Sequence, residues 1–583
     1  MAQSEISVDV LVVGTGASGM AAAVTAASQG LKVLIVEKEA RYGGTTARSG
    51  GWLWIPGTRL ATEQGIKEPP GAAKAYLEHE TTTHFDEKRV DAFLLNGPKA
   101  IDFFTENTCV QFHMPAVFPD YHAEVTGGQP GGRSMVTRPF DGRQLGARIK
   151  QLAPPLPELT VFGMMLGSGP EIKHFMRAFK SLTSFVFVAK RLTKHLLDVI
   201  AHGRGMTLTN GNALAGRLAK AAMDLDIPVW LSSPAKKLIT EYDGVAGALV
   251  EHEGKTVQVK ATRGVVLACG GFPHDIERRR QLFPHAPSGN EHYSPSPATN
   301  TGDGLRLAEA VGGRVDGTIP HAAAWVPTSI TTRPDGSKGV MPHFIDRAKP
   351  GVIAVTTKGR RFTNEANSYH DFVQAMVKAC EGEHEITAWL LCDHKALRNY
   401  GLGCVAPGLP IGRHLRSGYL KRGATLTELA QQIGIEPAAL ETTIAEFNAS
   451  AKSGEDHAFG KGSKAYNRYQ GDALVTPNPC LAPLENAPYY AIKLVVGDIG
   501  TFAGLVTDEH TRVLDASGKP IKGLYAVGND AASVMGGNYP GAGITLGPAL
   551  TFGYVAAMHL AQATAELSLR IERPEPVAIE RRA

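Results

Sequence analysis

The chain has 583 residues, of which 43% are hydrophobic and 20% are charged, and a formal net charge of +4 at pH 7. A chain of this length exceeds what one hydrophobic core usually serves, so we expect two domains. The nearly balanced charge gives no reason to expect nucleic acid as a partner. The cysteines are scattered without a Cys-x-x-Cys pair, which predicts reduced thiols and no metal site.

The N-terminal sequence favours a cytoplasmic location. It runs directly into an apolar strand, without a basic segment followed by an apolar stretch and a cleavage site. No apolar run reaches the roughly 18 residues that a membrane-spanning helix requires. We therefore predict a cytoplasmic protein, with contact at the inner membrane face left open.

The first part of the chain has the pattern of a strand–helix–strand unit. Val8–Val13 is an apolar, β-branched run of the kind that forms buried parallel strands. Ala21–Ser28 predicts a small-residue helix, Gly30 lies where that helix would end, and Lys32–Val36 predicts a second apolar strand. Together these segments predict a complete βαβ unit.

A glycine motif lies between the first strand and the helix. Gly14 permits the tight turn, Gly16 lets the backbone approach a pyrophosphate, and Gly19 allows close helix packing. The N–H groups of the helix N-terminus add positive potential for phosphates. Glu37 ends the second strand, where a carboxylate can accept both ribose hydroxyls. The context predicts a dinucleotide site, and an ordinary glycine turn is the alternative.

The segment after Glu37 favours FAD over NAD. Gly43–Gly51 would bring backbone and small hydroxyl groups close to a flat, extended ligand. An NAD site would not need such a segment at that place. Ala261–Gly271 predicts another buried strand ending in glycines, and Asn300–Gly304 opens a helix. A short apolar strand at Gly523–Gly528 predicts that the chain returns to finish the first domain. The single Gly-x-Gly-x-x-Gly motif gives no indication of a second, nicotinamide site.

These patterns predict an α/β protein with two domains. Residues 1–290 and 475–583 would form a Rossmann-like FAD-binding domain, with a helical insert at about 151–210. Residues 291–474 are mixed, with several Gly/Pro breaks, and predict an inserted α+β catalytic domain that holds the substrate.

Taken together, the segments resemble the flavoprotein superfamily of fumarate reductases and 3-ketosteroid dehydrogenases over nearly the whole chain. The resemblance implies noncovalent FAD, because Thr45-Thr46-Ala47 lacks the histidine to which succinate dehydrogenase-like relatives attach it. From the motifs and the resemblance, the FAD-binding residues would be Gly14, Gly16, Ala17, Ser18, Gly19, Glu37, Lys38, Gly44, Thr45, Thr46, Ser49, Gly50, Gly51, Ala235, Gly270, Asp303, Gly528, Asn529, Ile544 and Leu546.

The C-terminal glycine-rich segment at 536–545 distinguishes two branches of that superfamily. Fumarate reductases hold a dicarboxylate with arginines and histidines, because bidentate guanidinium matches carboxylate geometry. Here Tyr539 and Pro540 stand where that cation is expected, which argues against a dicarboxylate. The segment resembles instead the 3-ketosteroid dehydrogenases that introduce a double bond between ring-A carbons 1 and 2, as do the segments 43–57, 359–372 and 497–508.

The resemblance implies roles for three tyrosines and a glycine. Tyr539 and the backbone N–H of Gly543 would bind the 3-keto oxygen, Tyr369 would be the base and Tyr121 would assist it. Two donors aimed at a ketone oxygen stabilise the enolate that forms when the adjacent carbon loses its proton. The apolar segment Trp52–Ile55 suits a sterol-like body. The expected partners are a small-molecule steroid substrate and a quinone or other electron acceptor.

Tyr369 would be a poor base without help, because a free tyrosine has a pKa near 10. A donor that hydrogen-bonds to the ionised form would lower that pKa, and we expect Tyr121 to be this donor. The alternative for each tyrosine is a packed aromatic side chain, and Asp303 could be only a helix N-cap.

Other functions stay open at this stage. The nearest is the same fold acting at steroid carbons 4 and 5, or on a non-steroid cyclic ketone. A fumarate-reductase-like flavin reductase is more distant. A non-catalytic flavin- or sterol-binding protein would retain the donors and the base without using them.

The segment 172–200 has a basic amphipathic pattern, with no acidic residue from Ile172 to Leu197. Its apolar positions include Ile172, Phe175, Met176, Phe179 and Leu182, then Leu192, Leu196, Val199 and Ile200. Its basic positions are Lys173, Arg177, Lys180, Lys190, Arg191 and Lys194. Such a segment can lie on an anionic membrane surface, and the alternative is a helical pair packed on its own domain.

Overall fold

A computed structural model describes residues 4–168, 170–178, 181–242 and 244–571, and its first sheet has eight strands. In spatial order the strands are Val229–Trp230, Val33–Val36, Ser4–Val13, Lys255–Leu267, Gly244–His252, Pro520–Ala526 and Arg512–Leu514, with Ala235–Glu241 paired to Gly244–His252.

The centre of this sheet is parallel, and its apolar segments 10–13, 33–36 and 265–267 are buried. Ser4–Val13 pairs in parallel with Val33–Val36 on one side and with Lys255–Leu267 on the other. The helix Ala17–Ser28 returns along this sheet and packs against the long helix Leu546–Ile571. Apolar strands buried on both faces are expected where helices cover a parallel sheet. The predicted α/β fold class is confirmed.

The second sheet has six strands and is antiparallel throughout. Its path is Lys338–Pro342, Ala323–Thr332, Tyr489–Thr501, Thr387–Asp393 and Val352–Thr356, with Lys421–Gly423 also on Tyr489–Thr501. The strand Tyr489–Thr501 lies at the centre of this second sheet, although the sequence predicted that all residues after 474 belong to the first domain. The chain returns to the first sheet at Arg512–Leu514. The prediction missed this because apolar periodicity indicates a strand but not the sheet to which the strand belongs. The domain limits themselves stay a prediction.

The helices and the smaller pairings complete the described fold. Short strands pair as Trp52–Trp54 with Ser134–Thr137 and Phe112–His113, Phe140–Asp141 with Thr207–Leu208, Thr160–Val161 with Met164–Met165, and Val315–Asp316 with Gly504–Leu505. Further α-helices are Arg59–Glu63, Ala72–Thr81, Glu87–Asn107, Pro170–Met176, Leu182–His202, Asn210–Asp224, Ile276–Leu282, Asp303–Glu309, Tyr369–Ala379, His394–Tyr400, Gly412–Arg416, Leu426–Ile433, Pro437–Ser453 and Ala465–Gln470. The 3₁₀ segments are Gly44–Arg48, Thr82–His84, Gly142–Gln151, Pro157–Leu159, Asp346–Ala348 and Gly528–Asp530.

The predicted helical insert at 151–210 is helical only in part. Its helices are Pro170–Met176 and Leu182–His202, whereas a short ribbon of Thr160–Val161 and Met164–Met165 precedes them. The prolines in the segment 154–157 break helical structure, since proline lacks an amide donor. Phe179 and Lys180, predicted on opposite faces of this segment, lie outside the described residues. Of the helices that are described, none is long and apolar enough to cross a membrane.

Candidate active site

A cleft lies at the carboxyl ends of the parallel strands and encloses about 1110 Å³, including space that is open to solvent. Ligands of open α/β sheets bind at this edge. We call it the dinucleotide cleft. The predicted FAD-binding residues that line it are Gly14, Gly16, Ala17, Ser18, Glu37, Lys38, Gly44, Thr45, Thr46, Ser49, Ala235, Gly270, Asp303, Gly528, Asn529 and Leu546.

Four predicted FAD-binding residues lie beside this cleft rather than on its lining. A Cβ on Gly19 would lie 2.2 Å from the Gly14 carbonyl oxygen, so Gly19 serves helix packing. Gly50 lies against Trp52, and Gly51 lies against the backbone of Asn210. The fourth, Ile544, lines a smaller adjoining cavity.

The glycine motif has the geometry that a pyrophosphate site requires. Gly14 has φ of +113°, and a Cβ there would lie 2.2 Å from the carbonyl oxygen of Ala268. The nearest atom to a Cβ on Gly16 is the Thr46 hydroxyl oxygen at 3.8 Å, so the backbone there is not crowded. The helix begins at Ala17 without an acidic residue in its first turn, which leaves its positive end available to an anion.

Glu37 closes one end of the dinucleotide cleft. Its carboxylate accepts hydrogen bonds from the backbone N–H of Thr15 at 3.0 Å, from the Thr15 hydroxyl at 2.5 Å and from the N–H of Glu39 at 2.9 Å. Burial raises the pKa of Glu37 above its usual value, and these donors oppose that rise. The structure therefore holds the carboxylate against the glycine loop at the end of its strand.

Lys38 and Asp303 form an ion pair across the cleft lining, and Asp303 also pairs with Arg306 at 2.5 Å. Burial acts to raise the pKa of Asp303, but the hydrogen bond and charge of Lys38 outweigh it and lower the pKa. Gly302 occupies the N-cap position of the helix Asp303–Glu309. The N-cap alternative for Asp303 is therefore wrong.

Three predicted active-site tyrosines, from segments far apart in the chain, are buried in contact with one another. The hydroxyl oxygens of Tyr121 and Tyr369 lie 3.2 Å apart. The ring of Tyr539 stacks on Tyr121 at 5.6 Å between centroids and meets Tyr369 edge-on at 4.9 Å. Tyr539 also hydrogen-bonds to Thr545, which lines the dinucleotide cleft. The tyrosines therefore adjoin that cleft directly.

A fourth tyrosine completes this group and was not predicted. Tyr466 is buried with its ring 4.3 Å from that of Tyr121, and its hydroxyl accepts a hydrogen bond from Gln470. No motif surrounds Tyr466 in the sequence, and only the tertiary structure brings its short helix to the others. We call Tyr121, Tyr369, Tyr466 and Tyr539 the phenol cluster.

Backbone contacts hold the loops of the phenol cluster together. The N–H of Tyr121 donates to the carbonyl of Pro540 at 2.9 Å, and the Tyr76 hydroxyl donates to the same carbonyl at 2.7 Å. Gly543 has φ of +100° and its carbonyl accepts from the N–H of Trp54 at 3.1 Å. Gly543 thus packs against a strand edge where a side chain would clash with the Trp52 backbone.

His122 links the segments that carry Tyr121 and Tyr369. Its Nδ1 lies 2.8 Å from a carboxylate oxygen of Glu80, and its Nε2 lies 2.8 Å from one of Asp371. Burial lowers the pKa of His122, but the hydrogen bonds to Asp371 and Glu80 outweigh it and raise the pKa to about 10. A charged imidazolium between two carboxylates positions both tyrosines.

The expected low pKa of Tyr369 is wrong for this arrangement. Burial raises the pKa of Tyr369 well above its ordinary value, and the neighbouring phenols Tyr121 and Tyr539 add to the rise. Burial also raises the pKa of Tyr121 well above its usual range and that of Tyr539 to about 12. Desolvation of the phenolate is the largest of these causes.

The apolar segment Trp52–Ile55 is mostly core rather than pocket wall. Leu53, Trp54 and Ile55 are completely buried, and the indole N–H of Trp54 donates to Asp120 at 2.8 Å. Trp52 alone is partly exposed, with its ring 4.4 Å from that of Phe118. Both faces of this short strand are covered from Leu53 onward, which a run of apolar letters does not reveal.

Comparison with known proteins identifies the class. A family model described as an FAD binding domain matches residues 9–546. The chain belongs to this family of FAD-binding proteins, and FAD is its cofactor. Within the family it is an FAD-dependent dehydrogenase of the ketosteroid dehydrogenase and fumarate reductase superfamily.

Relatives with different substrates share almost the whole chain. A 4-oxocyclohex-2-ene-1-carboxylate 5-dehydrogenase of Sinomonas cyclohexanicum is 42% identical over 96% of this chain and 94% of its own. A 3-oxosteroid 1-dehydrogenase of Mycobacterium tuberculosis is 37% identical over 95% and 98%. The crystal structure of a 3-ketosteroid Δ1-dehydrogenase from Sterolibacterium denitrificans, in complex with 1,4-androstadiene-3,17-dione, is 39% identical with a TM-score of 0.88 and covers 96% of this chain and 100% of its own.

Proposed function

We propose that this chain dehydrogenates a 3-ketosteroid between ring-A carbons 1 and 2. The observation that carries the proposal is the convergence of Tyr121, Tyr369 and Tyr539 beside the dinucleotide cleft. A proton acceptor, a second phenol to assist it and a donor for a ketone oxygen are the groups that loss of a proton next to a carbonyl requires.

In the proposed reaction each group has a separate task. The Tyr539 hydroxyl and the N–H of Gly543 donate to the ketone oxygen, where negative charge develops as the adjacent carbon loses its proton. Tyr369 takes that proton on its oxygen. FAD bound in the dinucleotide cleft supplies the chemistry of accepting a hydride from the neighbouring carbon. We further propose that FAD is held noncovalently and that a quinone or similar acceptor reoxidises it.

The protonation states support this division of labour. Because burial raises the pKa of Tyr121 well above its usual range, this phenol is neutral near neutral pH. A neutral phenol whose oxygen lies 3.2 Å away can donate to the Tyr369 phenolate without adding charge to an apolar site. The high pKa of Tyr369 means that the active fraction grows with pH.

A steroid is supported over a carboxylate by the cations near the phenol cluster. Arg347 donates to backbone carbonyls, including those of His343 at 3.1 Å and Glu365 at 2.7 Å. His122 is held between Glu80 and Asp371. Both cations are thus satisfied by protein acceptors, whereas the rings of Trp52, Phe118 and Tyr469 provide apolar surface.

A monocyclic 4-oxocyclohexene carboxylate is the second candidate substrate. The 42% identity to the Sinomonas cyclohexanicum dehydrogenase over nearly the whole chain supports it. The same proton and hydride transfers would serve this ketone, and only recognition of its carboxylate would differ.

The test is reduction of the purified flavoprotein without an acceptor. A 4-ene-3-one steroid should bleach the flavin and yield the 1,4-diene, while 4-oxocyclohex-2-ene-1-carboxylate should leave the spectrum unchanged. Bleaching by the carboxylate alone would establish the second candidate. If neither compound bleaches the flavin and succinate does, both candidate substrates are rejected.

A further inference from the structure

The helix Leu182–His202 has its polar side inward and its apolar side outward. Ser184, His195 and Asp198 are its buried residues, whereas Leu182 and Ile200 are 79% and 74% exposed. A surface helix of a folded domain normally shows the opposite arrangement. We call its exposed apolar side chains the outward stripe, which comprises Leu182, Phe185, Val186, Leu196, Leu197 and Ile200.

Specific polar contacts hold the helix in this orientation. Asp198 accepts from the guanidinium of Arg143 at 2.5 Å and from the N–H of Met206 at 3.1 Å. His195 Nε2 lies 3.0 Å from the carbonyl oxygen of Phe162. Rotating the helix to bury the outward stripe would break these contacts and bury hydrophobic groups against polar ones. The exposed stripe is therefore built into the fold.

The border of the outward stripe is cationic. Lys190 and Lys194 are exposed beside it, and no acidic residue lies between Glu171 and Asp198 in the sequence. Arg191, predicted on this basic face, instead points inward, and its Nε donates to Glu171 at 2.7 Å. The two nearest acids, Glu171 and Asp198, are both paired, so the charge offered outward by this border is positive.

We propose that the outward stripe docks on an anionic lipid surface. Large apolar side chains flanked by lysines match the acyl region and the anionic headgroups of a membrane interface. The exposed Phe162, at the tip of the neighbouring ribbon, adds a further apolar group. The stripe and this tip together exceed the scattered apolar exposure that single surface residues produce.

A second copy of the chain fits this surface less well. A two-fold pair of antiparallel helices sets each edge of the stripe against the same edge of its mate. Lys190 and Lys194 would then face lysines, with no acid on this part of the helix to compensate. Like charges in such a contact destabilise it, whereas an anionic membrane gains from both lysines.

The segment that precedes the helices Pro170–Met176 and Leu182–His202 is connected through Asn210 to the loop that carries Ser49. The N–H of Ser168 donates to Asn210 Oδ1 at 3.1 Å, and Asn210 Nδ2 donates to the carbonyl of Leu166 at 2.8 Å. The next residue, Gly211, donates its N–H to the carbonyl of Ser49 at 3.1 Å. The docking segment is thus attached to the loop that lines the dinucleotide cleft. Docking itself does not depend on which substrate the enzyme takes.

Vesicle sedimentation of the FAD-loaded protein tests the proposal. We expect binding to phosphatidylcholine vesicles that contain phosphatidylserine, and much weaker binding to phosphatidylcholine alone or at raised salt. The double variant Lys190→Gln/Lys194→Gln should bind about 30-fold more weakly, at about 1 kcal/mol per lysine. The triple variant Phe185→Ser/Leu196→Ser/Ile200→Ser should stay in the supernatant.

Two exposed leucines elsewhere serve as matched controls. Leu95→Ser and Leu474→Ser remove side chains that are 61% and 69% exposed outside the helix, and both variants should sediment like wild type. Flavin content should be unchanged in all variants because their side chains face solvent. Failure of wild type to bind anionic vesicles at low salt would overturn the proposal. So would equal binding by the triple variant, or a wild-type dimer that this variant dissociates.

Discussion

The dinucleotide cleft is lined by backbone and small side chains, whereas the phenol cluster is lined by large buried rings. In the cleft, Gly14 and Gly16 act through the absence of a side chain, since a Cβ on Gly14 would clash with the Ala268 backbone and a Cβ on Gly16 would occupy space beside the Thr46 hydroxyl. In the phenol cluster, the side chains act through their hydroxyl groups, and the hydroxyl oxygens of Tyr121 and Tyr369 lie 3.2 Å apart. Changes in the cleft should therefore alter cofactor affinity, and changes in the phenol cluster should alter turnover.

Removal of the proposed base should have the largest effect, and it tests whether a change in the phenol cluster alters turnover without altering flavin content. Tyr369→Phe should lose about 10²- to 10⁴-fold in turnover, the usual contribution of a general base, with flavin content unchanged. Steroid binding should persist, because Tyr539 and Gly543, the proposed donors to the ketone oxygen, are unchanged. Flavin reduction in a stopped-flow instrument measures the loss. The control is Tyr490→Phe, a buried tyrosine in the second sheet, which should turn over like wild type.

The donor to the ketone oxygen should have the next largest effect. Tyr539→Phe removes one of two donors and should lower turnover by about 10²- to 10³-fold. FAD should stay bound, since Tyr539 is not among the residues that line the dinucleotide cleft. The flavin spectrum and single-turnover rate decide this, and a rate within a few-fold of wild type would remove Tyr539 from the mechanism.

Glu37 tests the expectation that changes in the dinucleotide cleft alter cofactor affinity. Glu37→Ala should weaken FAD binding by about 10- to 100-fold, the range for a lost charged hydrogen bond of about 1.5–3 kcal/mol. Turnover at saturating FAD should change little. Titration of apo-protein with FAD gives the dissociation constant, with the exposed Glu5→Ala as a control. Wild-type affinity in the Glu37 variant would contradict its assignment as a ribose acceptor.

Tyr121→Phe should slow turnover about tenfold near neutrality, the effect of one pKa unit on Tyr369. Because burial raises the pKa of Tyr369 well above 10, wild-type activity should climb as pH rises. The deficit should stay constant with pH while pH is far below the pKa of Tyr369, and it should shrink only as pH approaches that pKa. Turnover of the variant equal to that of wild type at every pH would show that Tyr121 does not tune the base.

His122 should have the smallest effect, on stability rather than on chemistry. Its pKa rises from 6.5 to about 10 in the folded protein, so its contribution is fully present below pH 6.5 and disappears as pH rises through about 10. His122→Gln should therefore lower the unfolding midpoint more at pH 6 than above pH 10. The exposed His113→Gln is the control. Equal losses at both pH values would mean that the His122 charge does not stabilise the loops.

Local patterns were enough where the chemistry lies in consecutive residues. The glycine motif, the strand before it and Glu37 form one βαβ unit, so their spacing alone predicted the cleft. Local patterns failed where a side chain contacts residues that are distant in the sequence. Arg191 belongs by periodicity to a basic face, yet Glu171 draws it inward, and Leu53 to Ile55 were expected at the pocket but are core.

What the sequence by itself determined is the α/β class and the FAD cofactor, because a strand, a glycine turn and a helix N-terminus follow from short-range sterics and hydrogen bonding. Only the tertiary structure decided the state of Tyr369, because desolvation depends on what surrounds the hydroxyl from every side. Only the tertiary structure also brought Tyr466 to the phenol cluster and turned the apolar side of Leu182–His202 outward. Both depend on contacts between segments that no local window of sequence contains.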